Sequence, residues 1–369
     1  MMRRVLIGCL ALFLLAFACA GGVVLGVIAA PRLQGIFAPA PTATPTAVAD
    51  RPHPTPPPTR SPSRPTPTSA PEASPEPPSE SSGDGFSLPE ADWEALAEGL
   101  RPEARAMLHP EDGRPLIRMA LRVEPEARRL RGRMAVTVSR QGPEVCFRAF
   151  ANAKAMGGSR LEVGGLQVDG RPVTPQWSAD RTAFTLRLPE RSGPTVEVTL
   201  LFTTTLGTRE AGYGLMRRHP DGRMVVYYGY PEVARMENGR CLLDPPWENG
   251  DLHQAEAAHY WIRLEVPAGT AVAISGVERG EQEIAGRRVL EVVAPFARNV
   301  VLVAGPMEER TLEAAPSLRV RGFFSQADEE AFGQGLEAAA NALRRFGEAF
   351  GEYPFPELDV VEVPLSGGA

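Results

Sequence analysis

Between Leu116 and about Gly305 apolar and polar residues alternate along the chain. Leu121-Arg122-Val123-Glu124, Met134-Ala135-Val136-Thr137-Val138 and Ala183-Phe184-Thr185-Leu186-Arg187-Leu188 carry the period of two that marks half-buried strands. Val196-Glu197-Val198-Thr199-Leu200 and Trp261-Ile262-Arg263-Leu264-Glu265-Val266 repeat it. Turn signals separate the runs at Val168-Asp169-Gly170-Arg171-Pro172, Pro220-Asp221-Gly222-Arg223 and Pro267-Ala268-Gly269. Many short strands with Gly/Pro turns predict an antiparallel sandwich, and no repeat of fixed period suggests a propeller.

After Pro316 the period changes. Leu318 to Phe324 reads as a strand. From Ala327 to Phe350 the residues Phe332, Leu336, Ala339, Leu343, Phe346 and Phe350 recur at helical spacing. Gly351 is the expected helix stop, Pro354 follows it, and Leu358 to Leu365 predicts a further strand. The apolar helix face needs cover. Within this chain the β-domain is the expected cover, which makes Pro316 to Ala369 the expected least stable folded part. Ahead of the β region, Ser87-Leu88-Pro89-Glu90 reads as a capping box before Trp93, Leu96, Ala97 and Leu100. A second turn is expected around Ala104 to Leu108, ending at His109-Pro110.

The N-terminus has its own pattern. Arg3 and Arg4 precede an uncharged, mostly apolar run from Val5 to Ala30, longer than the roughly 20 residues that span a bilayer. The two arginines stay cytoplasmic, so a transmembrane helix here places the body outside the cytoplasm, on a single-pass membrane anchor. The alternatives are a signal peptide cleaved near Ala16, Ala18 or Ala20 and a lipoprotein that uses Cys19. From Ala38 to Gly85 the chain is Pro, Thr, Ser and Ala with almost no large apolar residue, the composition of a disordered spacer. The expected organisation is an anchor over 1–37, a linker over 38–85, a helical lead-in over 86–112, a β-sandwich domain over 113–310 and the start of another domain over 311–369.

Composition narrows the chemistry. A chain of 369 residues at 43% hydrophobic supports one large or two ordinary domains beyond the linker. The net charge of −6 is spread among interspersed acids and arginines, and Lys154 is the only lysine, so nothing points to a nucleic-acid partner. Cys9 and Cys19 lie in the apolar run and read as small apolar residues. Cys146 and Cys241 fall in the exported body, where a disulfide is permitted, although sequence does not supply its geometry. The histidines are His53, His109, His219, His253 and His259. The pair His253/His259 is not an H-E-x-x-H arrangement and reads as polar residues at a strand edge, so no metal ligand is expected in the chain itself. No G-x-S-x-G elbow occurs, and Met156-Gly157-Gly158-Ser159 lacks the Lys-Thr pair of a phosphate loop, which leaves no catalytic residue to name. Tyr227, Tyr228, Tyr230 and Trp247 read as sheet core or rim, with a groove as the alternative.

The closing segment, Phe350-Gly351-Glu352-Tyr353-Pro354-Phe355-Pro356-Glu357-Leu358-Asp359-Val360-Val361-Glu362-Val363-Pro364, resembles the zinc aminopeptidases of the aminopeptidase N type. Leu121 to Pro125, Leu130 to Met134, Asn152-Ala153, Tyr228-Gly229-Tyr230-Pro231, Gly250-Asp251, Ala258 to Ile262 and Ile274-Ser275-Gly276 resemble the earlier segments of that family, in its order. The resemblance implies a mainly β fold: an antiparallel, saddle-like β-sandwich that walls a zinc site, then the first strand–helix–strand of a thermolysin-like α/β domain. It also implies that Gly367, Gly368 and Ala369 open the loop that binds the peptide substrate. The β-domain usually gives a Gln or Glu to the pocket for the substrate's amine, and Glu232 is a guess for that residue. Zinc is implied for the complete family member, whose H-E-x-x-H helix is expected beyond Ala369. The expected function is thus the non-catalytic N-terminal portion of a membrane-anchored, exported zinc aminopeptidase-like protein. The alternative is a non-enzymatic, surface-anchored β-sandwich module that binds peptides or proteins.

Overall fold

The computed structural model describes residues 23–25, 86–190, 193–209, 214–246, 255–325 and 329–364. The alternating segments build an eight-stranded sheet. Its order is Val277–Ile284, Arg287–Ala297, Ala258–Pro267, Leu116–Glu124, Arg129–Ser139, Thr195–Thr205, Arg160–Val168 and Arg171–Pro172. Neighbours are antiparallel except for Ala258–Pro267, which runs parallel to Leu116–Glu124. The period of two sends Ile117, Met119, Leu121 and Val123 to one face, with Met134, Val136, Ile262 and Leu264 from neighbouring strands. Smaller sheets cover that face and give Phe147, Phe184, Val226, Val272 and Leu302 to the same core. Gly132 lies opposite Phe202, and a Cβ at Gly132 would fall 2.1 Å from the Phe202 ring, so the glycine is what admits the aromatic side chain.

The lead-in helix starts later than the capping box at Ser87 predicts. It runs Trp93–Ala97, and the side chain of Asp92 caps it by accepting from the N–H groups of Glu94 and Ala95 at 2.9 and 3.1 Å. Tertiary contact decides this start: Trp261 donates through its indole N–H to the Asp92 carbonyl at 2.8 Å, and Trp93 meets Trp261 edge-on. The second turn is a 3-10 helix at Pro102–Met107.

Beyond the β-domain, Leu318–Phe324 pairs antiparallel with Glu308–Ala315 and parallel with Glu357–Val361. The helix Glu329–Phe350 is the crossover that parallel pairing requires. Its buried residues Phe332, Leu336, Ala340 and Leu343 pack on Leu318, Val320, Phe324, Leu358 and Val360 of these strands. The expectation that the β-domain covers this face is therefore corrected: the helix covers its own sheet. It is the opposite face, with Phe323, Val361 and Val363, that meets Val225, Ala273, Val301 and Val303 of the β-domain. The predicted stripe also runs past its cover. Phe346 is half-buried and Phe350 is 72% exposed, because a 22-residue helix of about 33 Å overhangs a seven-residue strand of about 23 Å.

Polar contacts fasten the unit. Arg101 donates to Glu352 at 2.8 Å and to the Tyr353 carbonyl at 3.2 Å, while its own N–H donates to the Pro354 carbonyl at 2.9 Å. Arg321 holds Asp359 in a buried two-pronged pair at 2.8 Å for each bond, and reaches Glu278 of the β-domain at 3.1 Å. No helix among the described residues is long and apolar enough to cross a membrane. The run Val5 to Ala30 lies outside them apart from Val23–Leu25, which is a strand paired in parallel with Glu357–Val361 and not part of the expected transmembrane helix. The linker 38–85 also lies outside the described residues.

Cys146 and Cys241 form a disulfide, with Cα atoms 6.2 Å apart across 95 residues of sequence. It ties the short hairpin Met236–Glu237/Arg240–Cys241 to the strand Glu144–Arg148. Closing so long a loop restricts the unfolded chain, so replacing both cysteines by alanine should cost about 4 kcal/mol, read from the urea midpoint. A second prediction concerns Gly322, where a Cβ would fall 2.0 Å from Leu336 and 2.4 Å from Phe332. Gly322→Val should destabilise the helix packing by about 1–3 kcal/mol. Hydrogen exchange should show amides of 329–350 opening faster while those of 260–266 keep their protection.

Candidate functional site

Glu232 is placed by a two-residue strand, Glu232–Val233, antiparallel to Arg148 and Phe147. The carboxylate points inward and the residue is 3% exposed. Around it lie Tyr230 and Tyr260, whose hydroxyls are 3.3 Å apart, and the Val300 N–H donates to the Tyr230 hydroxyl at 3.0 Å. Burial first, then the neighbouring Tyr260 and Glu232, push the Tyr230 phenol well above its ordinary range. Burial lowers the pKa of the Arg148 guanidinium, while the charges of Asp244, Asp180 and Glu232 oppose that shift. Arg148 donates to the Asp244 carbonyl at 2.7 Å and lies over the Phe150 ring at 4.8 Å.

Glu232 and Tyr260 line a cavity of about 30 Å³ together with Pro115, Ile117 and Ala258. That volume admits a water or a group of its size. Arg235, Ala255 and Glu256 are shared with an open depression of about 600 Å³ whose rim also holds Asp112, Arg114 and Arg298. The crevice thus leads from a rim of mixed charge to a buried carboxylate beside two phenols. Such a floor suits a small cationic or hydrogen-bond-donating group.

Gly367, Gly368 and Ala369 lie outside the described residues. The chain leads to them past Glu362, which accepts from the Ser325 N–H at 2.6 Å, and past Pro364, whose carbonyl lies beside Gly214 and His219. Gly214 has φ +84°, and a Cβ there would fall 3.1 Å from both the Pro364 oxygen and the His219 ring. Glu232 and Pro364 are therefore held by separate sets of neighbours. Tyr228 and Tyr230 are core residues and Tyr227 is half-buried between two clusters, so the groove alternative does not hold for them; Trp247 lies outside the described residues.

The histidines have other work than ligation. His259 is fully buried in the strand Ala258–Pro267, which corrects its reading as a polar strand-edge residue. The Phe296 N–H approaches its Nδ1 at 3.4 Å, and its Nε2 is 3.2 Å from Asp112. An accepting Nδ1 leaves the proton on Nε2, where it donates to Asp112. The ring of Trp93 packs edge-on at 5.6 Å. Burial raises the pKa of Asp112, but bonds from the Arg114 N–H, His259 and the Arg114 side chain outweigh it and hold the carboxyl below its ordinary value. His219 is buried and bonded to the Gly214 carbonyl at 3.1 Å. His109 is exposed, while His53 and His253 lie outside the described residues. Among the described residues no group of three His, Cys, Asp or Glu could hold a metal ion. No local signal foretold the Asp112–His259 pair, whose members are 147 residues apart.

No protein-family model matches the chain, and no curated protein matches it. Among solved structures it is similar to the M1 zinc metallopeptidase from Deinococcus radiodurans, at 20% identity over 68% of this chain and 56% of that one, with a TM-score of 0.44. A variant of that enzyme bound to a Tyr-Ser-Ala substrate gives the same identity and coverage at a TM-score of 0.45. The chain spans about half the length of these structures. Both are M1 zinc metallopeptidases, the aminopeptidase-type family that the sequence segments resemble.

Burial holds both His219 and His259 below the ordinary imidazole value of 6.5, against the opposing pull of the Gly214 carbonyl and of Asp112. In this case the unfolded state takes up protons first. The contribution is full above pH 6.5 and is lost as the pH falls below it. Asp359 slopes the other way. Burial pushes it up to about 7 despite Arg321, so its contribution falls as pH rises from about 4 to about 7. The difference between the parent and a His219→Gln/His259→Gln variant cancels the Asp359 part. The parent's urea midpoint should therefore fall more steeply than the variant's between pH 6.5 and 5.

Proposed function

We propose that the chain supplies the β-domain and the opening strand–helix–strand of the catalytic domain in an exported, membrane-anchored zinc aminopeptidase-like protein. By itself it hydrolyses nothing. One observation supports the reading above all. The segment from Phe350 to Pro364 forms a helix end, a turn and a buried parallel strand, and it does so against a mainly antiparallel β-domain, in the order the resemblance implies. In this reading Gly367, Gly368 and Ala369 open the peptide-binding loop, and Glu232 is the β-domain's contribution to recognition of the substrate amine. Zinc and its ligands belong to the complete protein. The run Val5 to Ala30 anchors the body outside the cytoplasm, with the Pro-rich linker as its stalk.

The reading frame beyond Ala369 tests this directly. A Met/Val-Glu-(Tyr/Asn) segment followed by H-E-x-x-H is expected, and a stop codon in its place would favour the non-enzymatic module. The purified full chain should release no nitroaniline from alanine nitroanilide and should retain no stoichiometric zinc after a chelator wash. Turnover, or one tightly held zinc per chain, would contradict the proposal. Intact-mass measurement on the same preparation should show Val5 to Ala30 still attached.

A further inference from the structure

The Cys146–Cys241 bridge has two unlike ends. Cys146 is 2% exposed and lines a small cavity of about 50 Å³ with Val138, Leu188 and Val233. Cys241 is half-buried and lines an open depression of about 650 Å³ with Leu242, Leu243 and Asp244. An external group therefore meets Cys241 first. The two sulfurs also differ in company. Thr185 is the cross-strand partner of Cys146, and its hydroxyl lies 3.4 Å from the Cys146 Sγ. A disulfide sulfur carries no proton, so the hydroxyl is the donor. The neighbour of the Cys241 Sγ is the Met236 thioether at 3.2 Å, which has no proton to give.

The bridge holds a small hairpin. Its strands, Met236–Glu237 and Arg240–Cys241, have two residues each. Asn238 and Gly239, at φ +51° and +75°, make the tight turn between them. A lone two-stranded hairpin is marginal in water. This one is fastened on either side by backbone acceptors: the Ala234 N–H donates to the Cys146 carbonyl at 2.9 Å, and Arg148 donates to the Asp244 carbonyl at 2.7 Å. The bridge is the covalent tie between those two bonds. Val233 and Ala234, which lead into the hairpin, line both the Cys146 cavity and the cavity beside Glu232. The chain that the bridge pins is thus the wall between the two cavities.

We propose that Cys146–Cys241 is a thiol-exchange site, that its partner is a dithiol, and that exchange releases the hairpin. A partner thiolate attacks the Cys241 Sγ from the open depression. A mixed disulfide forms there, the Cys146–Cys241 bond breaks, and Cys146 leaves as a thiolate with the Thr185 hydroxyl donating to it. The better a leaving thiolate is stabilised, the faster it leaves. The partner's second thiolate then attacks its own sulfur in the mixed disulfide and frees Cys241. The bridge gains two electrons, and each cysteine takes up a proton; the dithiol loses both and becomes a disulfide. The site goes beyond the peptidase reading and does not depend on it.

The test uses the purified full chain in non-ionic detergent, with Cys9 and Cys19 first blocked by iodoacetamide. Limited exposure to mercaptoethanol, an acid quench and peptide mapping show which sulfur is attacked. The mixed disulfide should sit on Cys241 in about tenfold excess over Cys146. Thr185→Val should slow the reaction about fivefold, the rate equivalent of one hydrogen bond, and Thr185→Ser should keep the parent rate. After full reduction by dithiothreitol, amides of 236–244 should exchange faster while those of 116–124 and 260–266 keep their protection. Attack mainly or equally on Cys146, or a Thr185→Val rate equal to the parent's, would overturn the proposal. So would unchanged exchange over 236–244, or protection lost throughout, which would make the bridge a staple of the whole fold.

Discussion

The contact of Phe323, Val361 and Val363 with Val225, Ala273, Val301 and Val303 is the constraint on which the rest of this structure depends. The strand–helix–strand unit has one helix, which covers one face of its sheet. The other face would be left in water, at about 1.5–3 kcal/mol for each large apolar side chain. The β-domain supplies the missing layer. The parallel pairing of Leu318–Phe324 with Glu357–Val361 stands because both faces of that sheet are covered.

Electrostatics at the same junction adds direction. Arg321 is one polar link between the two parts, since it holds Asp359 in its own sheet and reaches Glu278 on the β-domain. Breaking a buried pair leaves an uncompensated charge, so the cluster penalises misplacement more than it adds net stability. Arg101 works from the lead-in segment in a similar way, with bonds to Glu352 and to the carbonyls of Tyr353 and Pro316. The lead-in is thus a strap across the junction.

The crevice around Glu232 illustrates how a sheet domain offers chemistry. Glu232 gains its character from burial beside Tyr230, Tyr260 and Arg148. That arrangement does not resemble a metal centre. The described histidines show why: the two buried ones spend their ring nitrogens on Asp112, Phe296 and Gly214, contacts that hold the fold together.

The sequence by itself determined the strands and the long helix, because each rests on a local period. Alternation in Leu121 to Glu124 and Trp261 to Val266 already states which side chains face inward. The spacing of Phe332, Leu336 and Leu343 states which helix face is buried. Only the tertiary structure decided what those faces meet. The helix chose its own sheet over the β-domain, and its stripe stopped at Leu343 because the strands beneath it are short. Asp92 displaced Ser87 as the cap because Trp261, distant in sequence, fixes the Asp92 carbonyl. Glu232 was a guess under the family resemblance, and its burial with Tyr260 and Arg148, the Cys146–Cys241 bridge and the Asp112–His259 pair depend on contacts between distant segments. Local periodicity carries no information about such contacts.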